Sequence, residues 1–162
     1  MLGSRTIVTN GNQTDTIYEG LKEGKSFAES LSSRTFEPDA PNYTPRISAV
    51  LDIESGSMAY EMSILRTEGG DPEAEVREFF AYEAPQVGTG HFLRTYLGAG
   101  EPIPSYEEEP ALISTEGWGE DPEAIAKKIW EAMNEDNKVS LFVRVTDLED
   151  NSYKDSIINK LQ

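Results

Sequence analysis

Three closely spaced prolines constrain this chain more than any other feature of its sequence. Pro38, Pro41 and Pro45 lie in the segment FEPDAPNYTPRI (residues 36–47), here called the proline loop. Proline fixes its own φ and pushes the preceding residue towards extended conformations. We therefore predict a stiff, extended loop that holds five polar side chains in fixed directions, namely Glu37, Asp39, Asn42, Thr44 and Arg46.

A second polar segment, TNGNQTD (residues 9–15), precedes the proline loop. It follows a short predicted strand, RTIV (residues 5–8), and opens a predicted helix. Its residue types also suit ordinary turns and helix N-caps, so a purely structural role stays open at this point. Two rigid polar segments near one pair of helices nevertheless indicate a binding or catalytic site.

Composition limits the classes of site that this chain can build. A length of 162 residues predicts one domain over residues 1–162. There is no cysteine and only one histidine, which excludes disulfides, thiolate nucleophiles and multi-histidine metal sites within one chain. No long apolar run and no secretory leader pattern are present, so we expect a cytoplasmic protein without a membrane partner.

The charge is strongly acidic and unevenly distributed. Its net value is −16, of which residues 1–50 contribute −1 (5 basic, 6 acidic) and residues 51–162 contribute −15 (9 basic, 24 acidic). An acidic protein repels polyanions, so nucleic acid is excluded as an expected partner. A small anion is best accepted in the near-neutral first third or in residues 84–106, where the single basic residue, Arg94, is balanced in the charge count by a single acidic residue, Glu101.

Hydrophobic patterning predicts an α/β (α+β) protein with mostly antiparallel sheets and flanking helices. Helical patterns begin near Ile17, at the capping-box sequence of residues 26–29, and at Asp121. Predicted strands cover residues 5–8, 46–53, 58–66, 76–82, 90–97, 139–145 and 152–161, with a hairpin link at residues 54–57. For residues 71–74 a helix start is the alternative to a turn before the fourth strand.

Residue types alone leave the function open. Glu37 also fits a solvated surface carboxylate, Arg46 a charge at a sheet edge, and His91 a partly buried hydrogen-bonding residue.

Several longer motifs resemble a known protein family, and this resemblance favours a functional role for these residues. The segments TNGNQTDTIYEGL and FEPDAPNYTPRISAVL resemble the IMP cyclohydrolase family, in its archaeal-type form and its bacterial relatives. Three later segments, GTGHFLRTY, EPIPSYEEEP and NEDNKVSLFVRVTDLE, resemble the bacterial branch. Archaeal members tend to carry histidine where this sequence has Gln13. The resemblance implies a four-layer αββα architecture, similar to that of the N-terminal-nucleophile hydrolases but without their nucleophile.

The resemblance also indicates how much of the family's fold this sequence contains. Family members carry an upstream region of about a third of their chain, so this sequence matches the C-terminal two-thirds of their fold. We therefore expect an architecture that is incomplete at its N-terminus, with its first strand open to edge pairing. The expected consequences are a homo-oligomer, or poor activity that an upstream segment restores.

The implied reaction is the last step of purine synthesis, in which 5-formamidoimidazole-4-carboxamide ribonucleotide closes to IMP with loss of water. It implies neither a metal nor an organic cofactor. The resemblance makes Glu37 the catalytic residue, a carrier of protons at the reacting centre. It implies that Asn10 and Asn42 hold the carboxamide and formyl groups and that Thr14 donates to the ligand. Arg46 would either pair with the 5′-phosphate or orient Glu37. Further substrate-binding or site candidates are Asp15, Thr44, His91 and Arg94.

Two alternatives from other functional classes remain. One is a purine-nucleotide-binding module without turnover, and the other is a structural fragment that needs an upstream segment or a partner chain.

Overall fold

The computed structural model describes residues 2–54 and 56–160, which form two compact units. Unit 1 is Met1–Ile113 and unit 2 is Ser114–Gln162. The described residues contain eight strands in three sheets and three helices. The prediction of a mixed protein with mostly antiparallel strands is confirmed.

Unit 1 is built on an antiparallel sheet of four strands in the order β1-β2-β3-β4. The strands are β1 (Arg5–Thr9), β2 (Arg46–Glu54), β3 (Ser57–Glu68) and β4 (Asp71–Tyr82). Glu54 lies opposite Ser57, as expected for the predicted hairpin link, whose Ser55 lies outside the described residues. Within the described part of the chain, β1 pairs with β2 alone.

The fourth strand begins earlier than predicted. Asp71 already pairs with Glu68, and the two residues between them, Gly69 and Gly70, have φ values of 58° and 84°. Such positive values are accessible to glycine without a steric penalty, and they suit a two-residue hairpin turn. Residues 71–74 therefore continue the hairpin, and the alternative of a helix start is wrong.

Two helices cover one face of this sheet. They are α1 (Thr14–Lys22) and α2 (Phe27–Ser30), and α2 starts with the predicted capping box between Ser26 and Glu29. The core beneath them consists of Ile17, Leu21, Phe27, Leu31, Val50 and Leu65. Since side chains alternate along a strand, the other face carries further apolar residues of β2 and β3, including Ile47, Met62 and Ile64. An apolar cleft of about 240 Å³ there is lined by Val8, Ala49, Met62 and Leu93, among others.

A short sheet pairs β5 (Thr89–Phe92) with β6 (Ala111–Ser114). The prediction of one strand over residues 90–97 is wrong beyond Phe92. Residues 93–97 form a loop whose single bridge joins Tyr96 to Ser105. The opposing segment contains Pro102 and Pro104, which lack the N–H group that a longer ladder would need.

Unit 2 consists of a helix and a hairpin. The helix α3 (Pro122–Ala132) begins as predicted, with Asp121 accepting a hydrogen bond from the Glu123 amide at 3.2 Å. It packs against β7 (Ser140–Thr146) and β8 (Tyr153–Asn159), which pair antiparallel. Both final strands were predicted, although Leu161, the predicted end of the second, lies outside the described residues. Among the described helices, none has the length and apolarity needed to cross a membrane.

Candidate functional site

An ion pair joins the two ends of the proline loop. The Arg46 guanidinium contacts both carboxylate oxygens of Glu37, with Nη1–Oε1 at 2.5 Å and Nη2–Oε2 at 2.9 Å. The Arg46 side chain is only 7% exposed, whereas that of Glu37 is 31% exposed. Two-point contact of this kind fixes direction as well as distance. The pair, here called the base of the proline loop, therefore presents an oriented carboxylate at the surface.

The TNGNQTD segment packs against this pair. Gln13 is fully buried and accepts a hydrogen bond from Arg46 Nη1 at 3.0 Å. Gly11 lies so close that a Cβ atom added to it would be 2.7 Å from Glu37 Oε1 and 3.0 Å from Arg46 Nη1. Only glycine fits there without displacing the pair, so the Asn-Gly turn serves close approach as well as chain reversal.

Asn10 attaches the TNGNQTD segment to the start of β2. Its Nδ2 donates to the Pro45 carbonyl at 2.9 Å, and its Oδ1 accepts from the Ile47 amide at 3.0 Å. The same oxygen accepts from Gln13 Nε2 at 3.2 Å. These bonds hold the two segments in register and make Asn10 part of the frame that positions Arg46.

A second arginine reaches the same place. Asn12 Oδ1 accepts from Arg46 Nη1 at 2.8 Å and from Arg34 Nη1 at 3.3 Å. Arg34 also donates through Nε to Thr16 Oγ1 at 2.8 Å, at the start of α1. The group formed by Asn12, Arg34, Glu37 and Arg46 thus contains two guanidinium groups and one carboxylate.

The tip of the proline loop, residues 39–44, is organised differently. Asp39 accepts hydrogen bonds from the Thr44 amide and hydroxyl at 2.7 and 2.5 Å. Burial alone would raise the pKa of Asp39, but these two bonds outweigh it and lower that pKa below its ordinary value. The Thr44 hydroxyl also lies 2.6 Å from the Tyr96 hydroxyl, and Asn42 Oδ1 accepts from the Ile103 amide at 3.2 Å. The tip is thereby bonded to itself and to residues 96–103.

His91 lies in a separate aromatic group. Its Nδ1 is 2.6 Å from the Tyr60 hydroxyl, and its ring stacks on Tyr82 with the ring centroids 3.7 Å apart. Burial raises the pKa of both tyrosines, and for Tyr82 the nearby Tyr60 and Glu109 add to the effect. No contact of the described residues joins His91 to the base of the proline loop.

The remaining predicted site residues are dispersed. The Thr14 hydroxyl is hydrogen-bonded with that of Thr9, and Asp15 is exposed without an ion pair or hydrogen bond to the described residues. The Arg94 guanidinium lies 4.9 Å above the Tyr106 ring. Of the predicted residues, the structure therefore brings together Asn10, Glu37 and Arg46, and it directs the Asn42 and Thr44 side chains elsewhere.

Sequence reasoning did not assign site roles to Asn12, Gln13 and Arg34. Asn12 and Gln13 lie within the TNGNQTD segment, so their place in a motif was a usable signal. Arg34 follows α2 outside both motifs, and only the folded arrangement shows where its side chain points.

No metal centre is indicated by the described residues, among which no group of three or more histidine, aspartate or glutamate side chains could hold an ion. The Glu37 carboxylate has a guanidinium as its partner instead.

Comparison with known families gives a match that includes both polar segments of the site. The family model described as IMP cyclohydrolase-like protein matches residues 1–151, which include both polar segments and the whole of unit 1. Searches of curated proteins and of solved structures gave no significant match. The matched region covers most of the sequence, and the chain belongs to the IMP cyclohydrolase-like protein family.

Proposed function

We propose that this chain closes 5-formamidoimidazole-4-carboxamide ribonucleotide to IMP with loss of water. The observation that carries the proposal is the oriented Glu37 carboxylate, held by a buried arginine within the region that matches the family. In this reaction the carboxamide nitrogen bonds to the formyl carbon and the formyl oxygen leaves as water. The two protons of that water come from the carboxamide and formamido nitrogens.

Glu37 is proposed as the residue that moves a proton between the carboxamide nitrogen and the departing oxygen. A positioned acid or base of this kind contributes about 10²–10⁴ to a rate. An amide nitrogen is a weak nucleophile, so holding it against the formyl carbon supplies a further part of the rate. In this account Arg46 orients Glu37, which is one of the two roles that the sequence allowed.

The other predicted substrate contacts remain part of the proposal. Asn42 accepts a hydrogen bond from the Ile103 amide through Oδ1, but its Nδ2 makes no hydrogen bond to the described residues and is available to a ligand. Thr14, Asp15 and Thr44 are retained as predicted contacts, as are the further candidates His91 and Arg94. Asn10 acts through the frame that it builds around Arg46.

We further propose that the four-stranded sheet contributes to the four-layer αββα architecture of the family. One face is covered by α1 and α2, while the other carries apolar side chains and a cleft. A cytoplasmic homo-oligomer is proposed with it, because β1 offers an edge for strand pairing. Sedimentation would test this point, and a purely monomeric species would contradict it.

The function is tested by a ring-closure assay with the purified chain and by calorimetry with IMP. We expect turnover and saturable IMP binding, together with no binding of DNA or RNA. A protein that gives no heat with IMP, yet binds nucleic acid in a manner that weakens with salt, would overturn the proposal.

A further inference from the structure

Arg34 is the one anchored arginine in the described residues that has no carboxylate partner. The chain contains seven arginines. Five of them form ion pairs, namely Arg5, Arg46, Arg66, Arg77 and Arg144. The sixth, Arg94, is exposed and lies over a tyrosine ring. Among the described residues, Arg34 alone is a partly buried arginine held in place by neutral acceptors only.

The position of Arg34 is fixed at both ends of the residue. Its carbonyl accepts two hydrogen bonds from the Arg77 guanidinium, at 3.0 and 3.2 Å, and its amide donates to the Leu31 carbonyl at 2.9 Å. At the other end, Thr16 and Asn12 accept from the guanidinium. Little side-chain entropy then remains to be lost when a ligand binds.

The guanidinium still has free donors. Arginine carries five N–H groups. Its hydrogen bonds from Nε and Nη2 to Thr16 and from Nη1 to Asn12 occupy three of them. The remaining two, one on each terminal nitrogen, have no acceptor among the described residues. Guanidinium N–H groups are strong donors to phosphate oxygens.

The charge around Arg34 also favours an anion. Arg34 and Arg46 share the Asn12 oxygen, and Glu37 is the only carboxylate bonded to either of them in the described residues. The group therefore has a net charge of +1 within a protein whose net charge is −16. Since Arg46 forms an ion pair with Glu37, the positive charge that remains without a counter-charge in this group is that of Arg34.

We propose that Arg34, held by Asn12 and Thr16, binds the 5′-phosphate of the purine nucleotide. This inference rests on the proposed function, because it assigns the phosphate of the same substrate. The guanidinium is close to the Glu37–Arg46 pair through the shared Asn12 oxygen, so one ligand can reach both.

The test compares IMP with inosine, which lacks the phosphate, by calorimetry on four proteins. These are the parent, Arg34→Gln, Arg34→Lys and, as a matched control, Arg5→Gln, which removes an arginine that pairs with Asp52. A hydrogen bond to a charged group contributes about 1.5–3 kcal/mol, so Arg34→Gln should weaken IMP binding by about 10- to 100-fold. Inosine binding should not change, and Arg34→Lys should recover part of the loss. Circular dichroism confirms that each variant is folded.

Two results would overturn the assignment. One is an unchanged IMP affinity in Arg34→Gln, and the other is a loss of IMP affinity matched by an equal loss of inosine affinity. If the parent binds neither ligand, the proposed ring closure fails, and inorganic phosphate at matched ionic strength then decides the role of Arg34. A rise in Tm with phosphate that Arg34→Gln abolishes supports the assignment, whereas no rise in the parent, or equal rises in both proteins, refutes it.

Discussion

The base and the tip of the proline loop have similar polar residues but place them differently. At the base, Glu37 and Arg46 contact each other and the TNGNQTD segment, and the arginine is almost completely buried. At the tip, Asp39 and Thr44 bond to each other near the surface. This difference underlies our proposal that the tip stabilises the conformation of the loop, while the base carries the reactive carboxylate of Glu37.

A backbone hydrogen bond within the proline loop connects the base and the tip. The Glu37 amide donates to the Thr44 carbonyl at 2.8 Å, which brings the two arms of the loop together just above the base. A well-formed tip therefore narrows the range of conformations open to Glu37. Substitution of Asp39, which is not a proposed substrate contact, should act on activity only indirectly, through this connection.

Glu37→Gln should have the largest effect. In a parent protein with measurable ring closure, we expect kcat to fall by about 10²–10⁴, because a glutamine amide cannot carry the proton. The fold should persist, since Glu37 lies on a loop and its replacement leaves no cavity in the core. Steady-state kinetics and circular dichroism measure the two effects.

The control for that variant is Asp39→Asn, which makes the same chemical change at the tip. Turnover close to that of the parent in Glu37→Gln would remove Glu37 from the mechanism. A loss of similar size in both variants would erase the distinction between base and tip.

Gly11→Ala should come next. Its Cβ atom would overlap Glu37 Oε1 and Gln13 Oε1, at 2.7 and 2.8 Å, and overpacking of this kind costs about 1–3 kcal/mol. If most of that cost falls on the orientation of Glu37, kcat should fall by about tenfold or more. Gly98→Ala is the control, because a Cβ atom there meets nothing within 4 Å. Equal kinetics for the two alanine variants would show that close packing at Gly11 does not matter.

Thr44→Val should have a smaller effect. It removes the hydroxyl bonded to Asp39 and Tyr96 while keeping the shape of the side chain. We expect the free energy of unfolding to fall by about 0.5–1.5 kcal/mol and kcat to change less than tenfold. Urea denaturation and kinetics measure both quantities. A loss as large as that of Glu37→Gln, without loss of stability, would establish Thr44 as the direct substrate contact that the sequence predicted.

The pH dependence of stability at the tip should be the smallest effect. Because the pKa of Asp39 is lowered in the folded protein, its ionised form stabilises the fold above the ordinary aspartate pKa, near pH 4. That contribution is lost as pH falls through the lowered value. The stability difference between the parent and Asp39→Asn should therefore be present at pH 7 and disappear in acid. Denaturation curves at several pH values would show it, and a difference independent of pH would contradict it.

The sequence predicted the local elements well where a local signal existed. Capping residues located α2 and α3, and alternating apolar residues located β2, β3 and the final hairpin. The predicted strand over residues 90–97 was longer than the observed one, because the sequence shows which residues are apolar but not which segment they pair with. The segment opposite residues 93–97 contains Pro102 and Pro104, which cannot donate to a longer ladder, and this pairing is a long-range property.

For the candidate site, the motifs drew attention to two polar segments that the fold brings together, but they could not rank the residues within them. Glu37, Asp39 and Thr44 look equivalent in sequence, and their different roles follow from which side chains meet across the fold. Arg34 lies outside both motifs and gave no signal, since its significance depends on its having only neutral hydrogen-bond acceptors in the described structure.

The central claim, that the ligand binds at the base of the proline loop, is tested most directly by nuclear magnetic resonance. Amide signals of the ¹⁵N-labelled protein would be assigned and followed during titration with IMP. We predict that the largest shifts occur at Gly11, Asn12, Gln13 and Glu37, with smaller ones at the tip. Shifts centred on His91 and Tyr60, or confined to unit 2, with the base unchanged, would contradict the account.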